Sequence, residues 1–201
     1  YLEDPMAALR IYDGGMSFHG GFLGVVVAGI LFCRKYQIPM LRAADVMAVS
    51  APAGLLFGRL ANFINAELWG RETSLPWGVV FPGDYAQTCS DAVKGLCARH
   101  PSQLYEALGE GLILGVALLY LLFRTKALRQ TGLLSGLFIS GYGLTRFLVE
   151  IVRQPDAHFQ TLQNPIGYAL QLGSWGLSMG QILSLPMLMV GLWLMVTAHK
   201  A

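Results

Sequence analysis

Charged residues are scarce in this sequence. Asp, Glu, Lys and Arg together make up 13% of the 201 residues, whereas 54% are hydrophobic and the mean hydropathy is +0.51. A soluble domain has about 25% charged residues, so this composition indicates an integral membrane protein. The net charge of +2 is far too small for the positive surface of a nucleic-acid-binding protein. We therefore expect the lipid bilayer, and no nucleic acid, among the partners.

Cysteine is also scarce, and none of the three residues has the neighbours in sequence that a metal site requires. We accordingly predict no metal. Cys89 and Cys97 fall on the predicted outer side of the membrane, where oxidising conditions permit a disulfide, whereas Cys33 ends a helix on the inner side. The sequence leaves open whether the outer pair is bonded. It has no recognisable signal peptide, and from its start at Tyr1 we expect a chain truncated at the N-terminus.

Long apolar runs are what the sequence does have. Five of them are long enough to cross about 30 Å of hydrocarbon as helices. They are residues 16–33, 44–65, 104–123, 132–152 and 177–198. The sequence therefore predicts an all-α, polytopic integral membrane protein with about five transmembrane helices, formed by residues 1–201 as a single transmembrane domain.

Basic residues indicate the orientation of these spans. The loops after the first and third spans contain Arg34, Lys35, Arg42, Arg124, Lys126 and Arg129. Positively charged short loops usually face the cytoplasm. The long segment of residues 67–103 then lies on the opposite side, where we predict a periplasmic cap. Its aromatic residues suit either anchoring at the interface or contact with a substrate.

The second apolar run ends in a polar motif from Gly58 to Gly70. A charge near hydrocarbon is costly, so Arg59 indicates a site. If the segment stays helical, Arg59, Asn62, Ala66 and Gly70 share one face, with Asn65 and Glu67 on its flanks. A guanidinium among amide groups suits the oxygens of a phosphate or carboxylate. This motif predicts a lipid headgroup site.

Three further polar motifs lie near the same predicted outer side. His19 begins a glycine-rich run and either exchanges protons or caps the helix start. Glu106 follows the sequence His-Pro-Ser-Gln-Leu-Tyr and shares a helix face with Glu110, so that both carboxylates enter the membrane and need partners. Tyr142, Arg146 and Glu150 form a stripe at four-residue spacing; Arg146 and Glu150 either neutralise each other or contribute to a site.

The agreement in location favours one common site over separate structural pairs. His19, Arg59, Glu67, Glu106, Arg146 and Glu150 all fall toward one side of the membrane. Convergent polar groups within an apolar body are the expected form of a binding or catalytic site. Two arginines and a histidine suit a phosphorylated lipid.

The order and spacing of these motifs resemble those of the phosphatidylglycerol:prolipoprotein diacylglyceryl transferases. The matching motifs are His-Gly-Gly-x-x-Gly from His19, the thirteen-residue run from Gly58 to Gly70, His-Pro-Ser-Gln-Leu-Tyr-Glu from His100, and Arg-x-x-x-Glu from Arg146. The resemblance implies a multi-pass enzyme of the bacterial inner membrane with its site toward the periplasm. Members of the family move a diacylglyceryl group from phosphatidylglycerol to the lipobox cysteine of a prolipoprotein and release glycerol phosphate.

The resemblance also implies roles for the residues. Forming the thioether requires a thiolate nucleophile and stabilisation of a departing phosphate. Arg59 and Arg146 are then expected as phosphate clamps and His19 as the base, without a cofactor. Substrate binding is expected from Arg59, Asn62, Asn65, Glu67, Gly70, Tyr105, Glu106, Tyr142 and Glu150.

Two other classes of protein share part of this pattern. A lipid or small-anion transporter also places arginines and acids across helices, but this sequence shows no inverted repeat and its polar groups gather on one side. A non-catalytic membrane subunit that binds structural lipid is the second alternative. Loss of transfer on changing His19, with lipid binding retained, separates catalysis from that alternative.

Overall fold

The computed structural model describes residues 18–89, 95–154, 164, 167–172 and 175–200, and most of these residues are helical. The α-helices of this part are α1 (Phe18–Tyr36), α2 (Met40–Ile64), α3 (Ser102–Glu106), α4 (Leu114–Arg124), α5 (Leu133–Val149) and α6 (Met179–Thr197). A π-helical segment, Ala107–Ile113, joins α3 to α4. The chain divides at Ala44 into two compact units, and α1 belongs to the first.

Short antiparallel strand pairs accompany the helices. They are β1 (Val79–Val80) with β2 (Ala98–Arg99), β3 (Gln130–Thr131) with β6 (His199–Lys200), and β4 (Leu170–Leu172) with β5 (Trp175–Leu177). The sequence analysis predicted helices only. Strands of two or three residues are too short to show the alternating pattern by which a strand is recognised.

The apolar helices confirm a membrane protein. Among the described residues, three helical stretches have the length and hydropathy of a membrane span: Met40–Ile64, Ser102–Arg124 and Met179–Thr197. They correspond within a few residues to the predicted spans 44–65, 104–123 and 177–198. Helix α5 is apolar but shorter, at 17 residues, and α1 overlaps the predicted span 16–33.

Helices α5 and α6 pack closely through small side chains. Gly136 and Ser140 of α5 face Gly191 of α6, and the Ser140 hydroxyl donates to the Gly136 carbonyl oxygen at 2.7 Å. Small residues let membrane helices approach each other and gain van der Waals contact. Leu118 of α4 and Leu134 of α5 are fully buried beside this pair. Helix α6 therefore packs against α5 through small residues.

A buried aspartate joins α2 to the start of α5. Asp45 is 1% exposed and accepts hydrogen bonds from the backbone N–H groups of Gly132 and Ser135, at 2.7 and 2.8 Å, and from the Ser135 hydroxyl at 2.7 Å. The first backbone N–H groups of a helix lack partners within the helix, and a carboxylate there also meets the positive end of its dipole. Asp45 thus caps α5 from another helix, a role that the sequence analysis missed.

Candidate functional site

Arg59 of α2 contacts two glutamates of the helical stretch Ser102–Arg124, which comprises α3, the π-helical segment and α4. We call this stretch the rod. Its Nε lies 3.1 Å from Oε2 of Glu106, and its Nη2 lies 3.5 Å from Oε2 of Glu110. The two carboxylates lie four residues apart, so one face of the rod presents both of them to one guanidinium. Glu106 and Glu110 thus provide counter-charges for a partly buried arginine.

Arg146 of α5 shares the same glutamate. Its Nη1 donates to Oε1 of Glu106, and its Nη2 lies 3.3 Å from Oε2 of Glu150. Arg153 adds a longer contact of 3.7 Å to the same Glu150 oxygen. Arg146 therefore pairs along its own helix with Glu150, which is one of the two alternatives that the sequence left open, and it also pairs with Glu106 of the neighbouring helix. Together with Arg59 and Glu110, these four residues form what we call the arginine–glutamate cluster: Arg59, Glu106, Glu110, Arg146, Glu150 and Arg153.

Two glycines of the π-helical segment permit this arrangement. A Cβ at Gly111 would lie 2.7 Å from Cα of Leu56 on α2, and a Cβ at Gly109 would lie 2.9 Å from Oγ1 of Thr145 on α5. The rod can therefore lie against both helices. π-Helical turns within α-helices are frequent at functional sites. The close approach places Glu106 between the two arginines.

The glutamates of the cluster are more buried than its arginines. Glu106 is 1% exposed and Glu110 is fully buried, whereas the side chains of Arg59 and Arg146 are 19% and 16% exposed. Within the described residues, neither carboxylate oxygen of Glu110 accepts a hydrogen bond. The polar contact that the structure shows for this carboxylate is its ion pair with Arg59. An anion can thus reach guanidinium groups whose orientation the buried carboxylates hold.

The segment after α2 leaves the helical path that the sequence analysis had extended to Gly70. Helix α2 ends at Ile64, and Ala66 and Leu68 adopt left-handed backbone conformations with φ of 55° and 56°. The expected helical face shared by Arg59, Asn62, Ala66 and Gly70 is therefore wrong at its last two members, Ala66 and Gly70. We call residues 65–70 the elbow.

Side chains of the His-Pro-Ser-Gln motif hold the elbow. The Ser102 hydroxyl donates to the Leu68 carbonyl oxygen at 2.9 Å, and the Gln103 amide donates to the Glu67 carbonyl oxygen. Both Ser102 and Gln103 are completely buried. Left-handed conformations of residues other than glycine cost free energy and persist where the surroundings enforce them, often at functional sites.

The predicted binding residues of the elbow have distinct surroundings. Asn62 Nδ2 donates to Glu67 Oε2 at 3.3 Å, and Asn65 is exposed. Gly70 donates its N–H to the His100 carbonyl oxygen at 2.8 Å and bridges to Arg153. A Cβ at Gly70 would lie 2.5 Å from the Val152 carbonyl oxygen, so the close contact between the elbow and the end of α5 requires glycine.

The two predicted tyrosines, Tyr105 and Tyr142, contact different parts of the structure. The Tyr105 hydroxyl accepts a hydrogen bond from Trp77 Nε1 at 2.9 Å and lies 3.2 Å from Nδ1 of His100. Burial lowers the pKa of His100, which favours a neutral imidazole at pH 7. Tyr142 packs beside Phe138 against the Leu114–Leu134 core.

Arg99 organises the loop beyond the elbow. It is 3% exposed, donates to the carbonyl oxygens of Ala86 and Thr88 at 2.6 Å each, and lies 4.2 Å from the centre of the Trp69 ring. Burial lowers the pKa of this guanidinium, and Glu72 opposes that effect. The sequence analysis missed Arg99 because its main partners are backbone carbonyl groups, which no motif reveals.

A disulfide closes the same loop. Cys89 and Cys97 are bonded, with Cα atoms 6.2 Å apart, which answers the question that the sequence left open. An oxygen of Glu72 and the two sulfur atoms lie within 4.8 Å of one another. Because the sulfurs are bonded to each other, they offer no thiolate for a metal ion.

His19 lies in the first turn of α1, in the first compact unit. Its side chain is outside the described residues, as are Asp13 and the glycines that precede α1. The prediction that His19 is the catalytic base therefore stays a prediction.

The fold and the arginine–glutamate cluster define a helical membrane protein with a charged, partly accessible site between its helices. Comparison with known proteins identifies the family. The sequence model of the family described as prolipoprotein diacylglyceryl transferase matches residues 1–197. The chain belongs to this family, which confirms the resemblance found in its motifs.

Curated relatives agree across the whole chain. A protein of Cereibacter sphaeroides named phosphatidylglycerol–prolipoprotein diacylglyceryl transferase is 58% identical over 200 residues, which are 100% of this chain and 68% of the relative. A protein of the same name from Roseobacter denitrificans is 55% identical, with coverage of 100% and 68%. Another from Rhizobium meliloti is 48% identical, with coverage of 100% and 64%.

Proposed function

We propose that this protein transfers the diacylglyceryl group of phosphatidylglycerol to the thiol of the lipobox cysteine of a prolipoprotein. The sulfur attacks the glyceryl carbon, a C–S bond forms as the C–O bond to phosphate breaks, and glycerol phosphate leaves with the bonding electrons. The thiol proton passes to a base. The product is a thioether, and the reaction is a first step of bacterial lipoprotein maturation.

The observation that carries this proposal is the sharing of Glu106 by Arg59 and Arg146. Two guanidinium groups from different helices are held within reach of one carboxylate, 3.1 Å away in the case of Arg59, and both keep part of their surface accessible. A phosphate has several oxygens and binds well to two such donors. Fixed positive charge also stabilises a phosphate as its negative charge grows during departure.

Individual roles follow from this chemistry. Arg59 and Arg146 clamp the phosphate, Asn62 and Asn65 donate hydrogen bonds to the headgroup, and His19 accepts the thiol proton. Glu106 orients both arginines. We retain the other predicted binding residues as groups that contact the substrates or support those that do: Glu67, Gly70, Tyr105, Tyr142 and Glu150. The mechanism uses no metal or cofactor.

We further propose a membrane arrangement. The five spans predicted near residues 16–33, 44–65, 104–123, 132–152 and 177–198 belong to one transmembrane domain, residues 1–201, in the bacterial inner membrane. The basic loops face the cytoplasm, and residues 67–103 form a periplasmic cap. The arginine–glutamate cluster then lies toward the periplasm, the side on which lipobox cysteines are expected.

Transfer of labelled diacylglycerol from phosphatidylglycerol to a lipobox peptide tests the function. The full-length protein in nanodiscs should give a thioether product and glycerol phosphate in equal amounts. Arg146→Ala should lower kcat/KM by at least 100-fold, since it removes a charge that the leaving phosphate needs; losses of this size, roughly 3 kcal/mol, are typical for such groups.

Matched controls make the result specific. Arg124 is an exposed arginine at the end of α4, and Arg124→Ala should keep activity within twofold. A peptide with serine in place of the lipobox cysteine should give no thioether. If folded protein binds phosphatidylglycerol but produces no thioether, the function is wrong and a lipid-binding or transport role takes its place.

A further inference from the structure

A cavity of about 640 Å³ opens beside the elbow. Glu67, Leu68 and Trp69 form one wall, and Pro82, Asp84 and Tyr85 form the other. Both walls come from the segment that follows α2, so the cavity lies beyond the end of that helix. It is separate from the arginine–glutamate cluster, because none of the cluster residues lines it.

The walls expose large apolar groups. Tyr85 is 88% exposed and Leu68 is 47% exposed, whereas Ala86 at the base is 2% exposed. Two hydrogen bonds hold the turn that contains Tyr85. The Gln87 amide donates to the Phe81 carbonyl oxygen at 2.8 Å, and Arg99 donates to the Ala86 carbonyl oxygen. Exposed apolar side chains on an ordered frame are typical of surfaces that bind a partner.

The charge of the cavity discriminates between the two substrates of the proposed reaction. The lining residues that carry a charge at neutral pH are Glu67 and Asp84, and both are acidic. A phospholipid phosphate would be repelled by two carboxylates, whereas peptide N–H groups and basic side chains are attracted. The cavity therefore fits a neutral or basic peptide and not an anionic headgroup.

Glu67 connects the cavity to the cluster. Its carboxylate lines the cavity and accepts a hydrogen bond from Asn62 at 3.3 Å, and Asn62 follows Arg59 by one turn of α2. One helical turn corresponds to about 5 Å. A peptide in the cavity can therefore extend toward the guanidinium groups over a few residues.

We propose that this cavity binds the prolipoprotein segment adjacent to the lipobox cysteine, while phosphatidylglycerol occupies the arginine–glutamate cluster. The inference rests on the proposed function, which requires two substrates to meet. Leu68, Trp69 and Tyr85 supply the apolar contacts, and Asp84 attracts the peptide. The left-handed backbone of Leu68 fixes the wall nearest the cluster.

Steady-state kinetics test the assignment in the full-length protein in nanodiscs. Tyr85→Ala should raise KM for a lipobox peptide five- to tenfold, while kcat and KM for phosphatidylglycerol stay within twofold. Tyr120, an exposed tyrosine on α4, provides the matched control, and Tyr120→Ala should leave both KM values within twofold. Equal increases in both KM values, or no change for Tyr85→Ala, would overturn the inference.

Photo-crosslinking separates this inference from the proposed reaction. With p-benzoylphenylalanine in place of Tyr85, the protein should crosslink to a lipobox peptide that carries serine instead of cysteine and so cannot react. Unlabelled peptide should compete, and phosphatidylglycerol should not. Crosslinking by a protein that shows no transferase activity would support the cavity and refute the function. Active protein that fails to crosslink at position 85 but crosslinks at position 120 would refute the cavity.

Discussion

The buried carboxylates of the arginine–glutamate cluster determine how much positive charge a ligand meets. Three arginines, Arg59, Arg146 and Arg153, face three glutamates, so the formal charge of the cluster is zero. Buried ion pairs gain little net stability because desolvation offsets their attraction, but loss of one partner is costly. The glutamates thus allow arginines to exist near hydrocarbon and moderate their affinity for anions.

Substitution of Glu110 tests this balance. Glu110→Gln preserves the volume and gives the cluster a net positive charge next to Arg59, so we expect a two- to fivefold lower KM for phosphatidylglycerol. Glu110→Asp keeps the charge and serves as the control, with KM within twofold of the unmodified protein. Similar KM values for the two variants in the nanodisc assay would show that shape, and not charge, is what Glu110 contributes.

The members of the cluster were predictable because a charge in an apolar run requires a partner. Arg59, Glu106, Arg146 and Glu150 each interrupt such a run, and the structure joins them. Asp45 was missed although it also lies in a predicted span, because its partners are N–H groups of residues 132 and 135. A backbone donor far along the chain leaves no signal in the residues around Asp45.

Among the elements, the described ends of the loop between Ala86 and Arg99 are joined to each other by crosslinks. The disulfide of Cys89 and Cys97, the Arg99 hydrogen bonds and the hydrogen bond from Cys97 N–H to Gln87 Oε1, at 3.0 Å, hold it against β1 and β2. Such short strands are marginal by themselves. The loop begins at Ala86, which lines the cavity next to Tyr85, so its crosslinks also help to hold that wall.

Removal of the disulfide should destabilise the protein measurably. Closure of a loop of this length is worth about 2–3 kcal/mol in the chain-entropy description. We expect the Cys89→Ser, Cys97→Ser double variant to unfold at a lower temperature in detergent, and reductant to lower the unfolding temperature of the unmodified protein but not of the double variant. Cys33→Ser should retain the response to reductant; an equal response in the double variant would contradict the prediction.

Long helices were predictable as elements, whereas their irregular parts were not. Hydropathy alone places α2 and α6 within a few residues of their observed bounds. The left-handed conformations of Ala66 and Leu68 were not predicted, because the elbow is held by Ser102 and Gln103, which follow more than 30 residues later. The π-helical segment depends on the approach of Leu56 and Thr145 from two other helices. The residues within the segment itself do not indicate either contact.

At the scale of the whole molecule, the proposed orientation fixes which surfaces meet each compartment. Single cysteines introduced by Ser74→Cys and Thr125→Cys, in a Cys33→Ser background, test it because both positions are exposed and the native disulfide does not react with maleimide. A membrane-impermeant maleimide should label position 74 in intact spheroplasts and position 125 only after permeabilisation. The reverse labelling would place the arginine–glutamate cluster toward the cytoplasm.

The cap that Asp45 provides for α5 can form only after both parts of the chain have been synthesised. Its partners, Gly132 and Ser135, follow it by 87 and 90 residues. At a translation rate of about 5–20 residues per second, roughly 4–18 s pass between the appearance of the carboxylate and that of its partners. During this interval α2 carries an acidic group without its final partner, so the final packing of α2 cannot be completed before the ribosome has made the start of α5. A nascent chain stalled between these two helices should therefore remain a substrate for membrane-protein quality control.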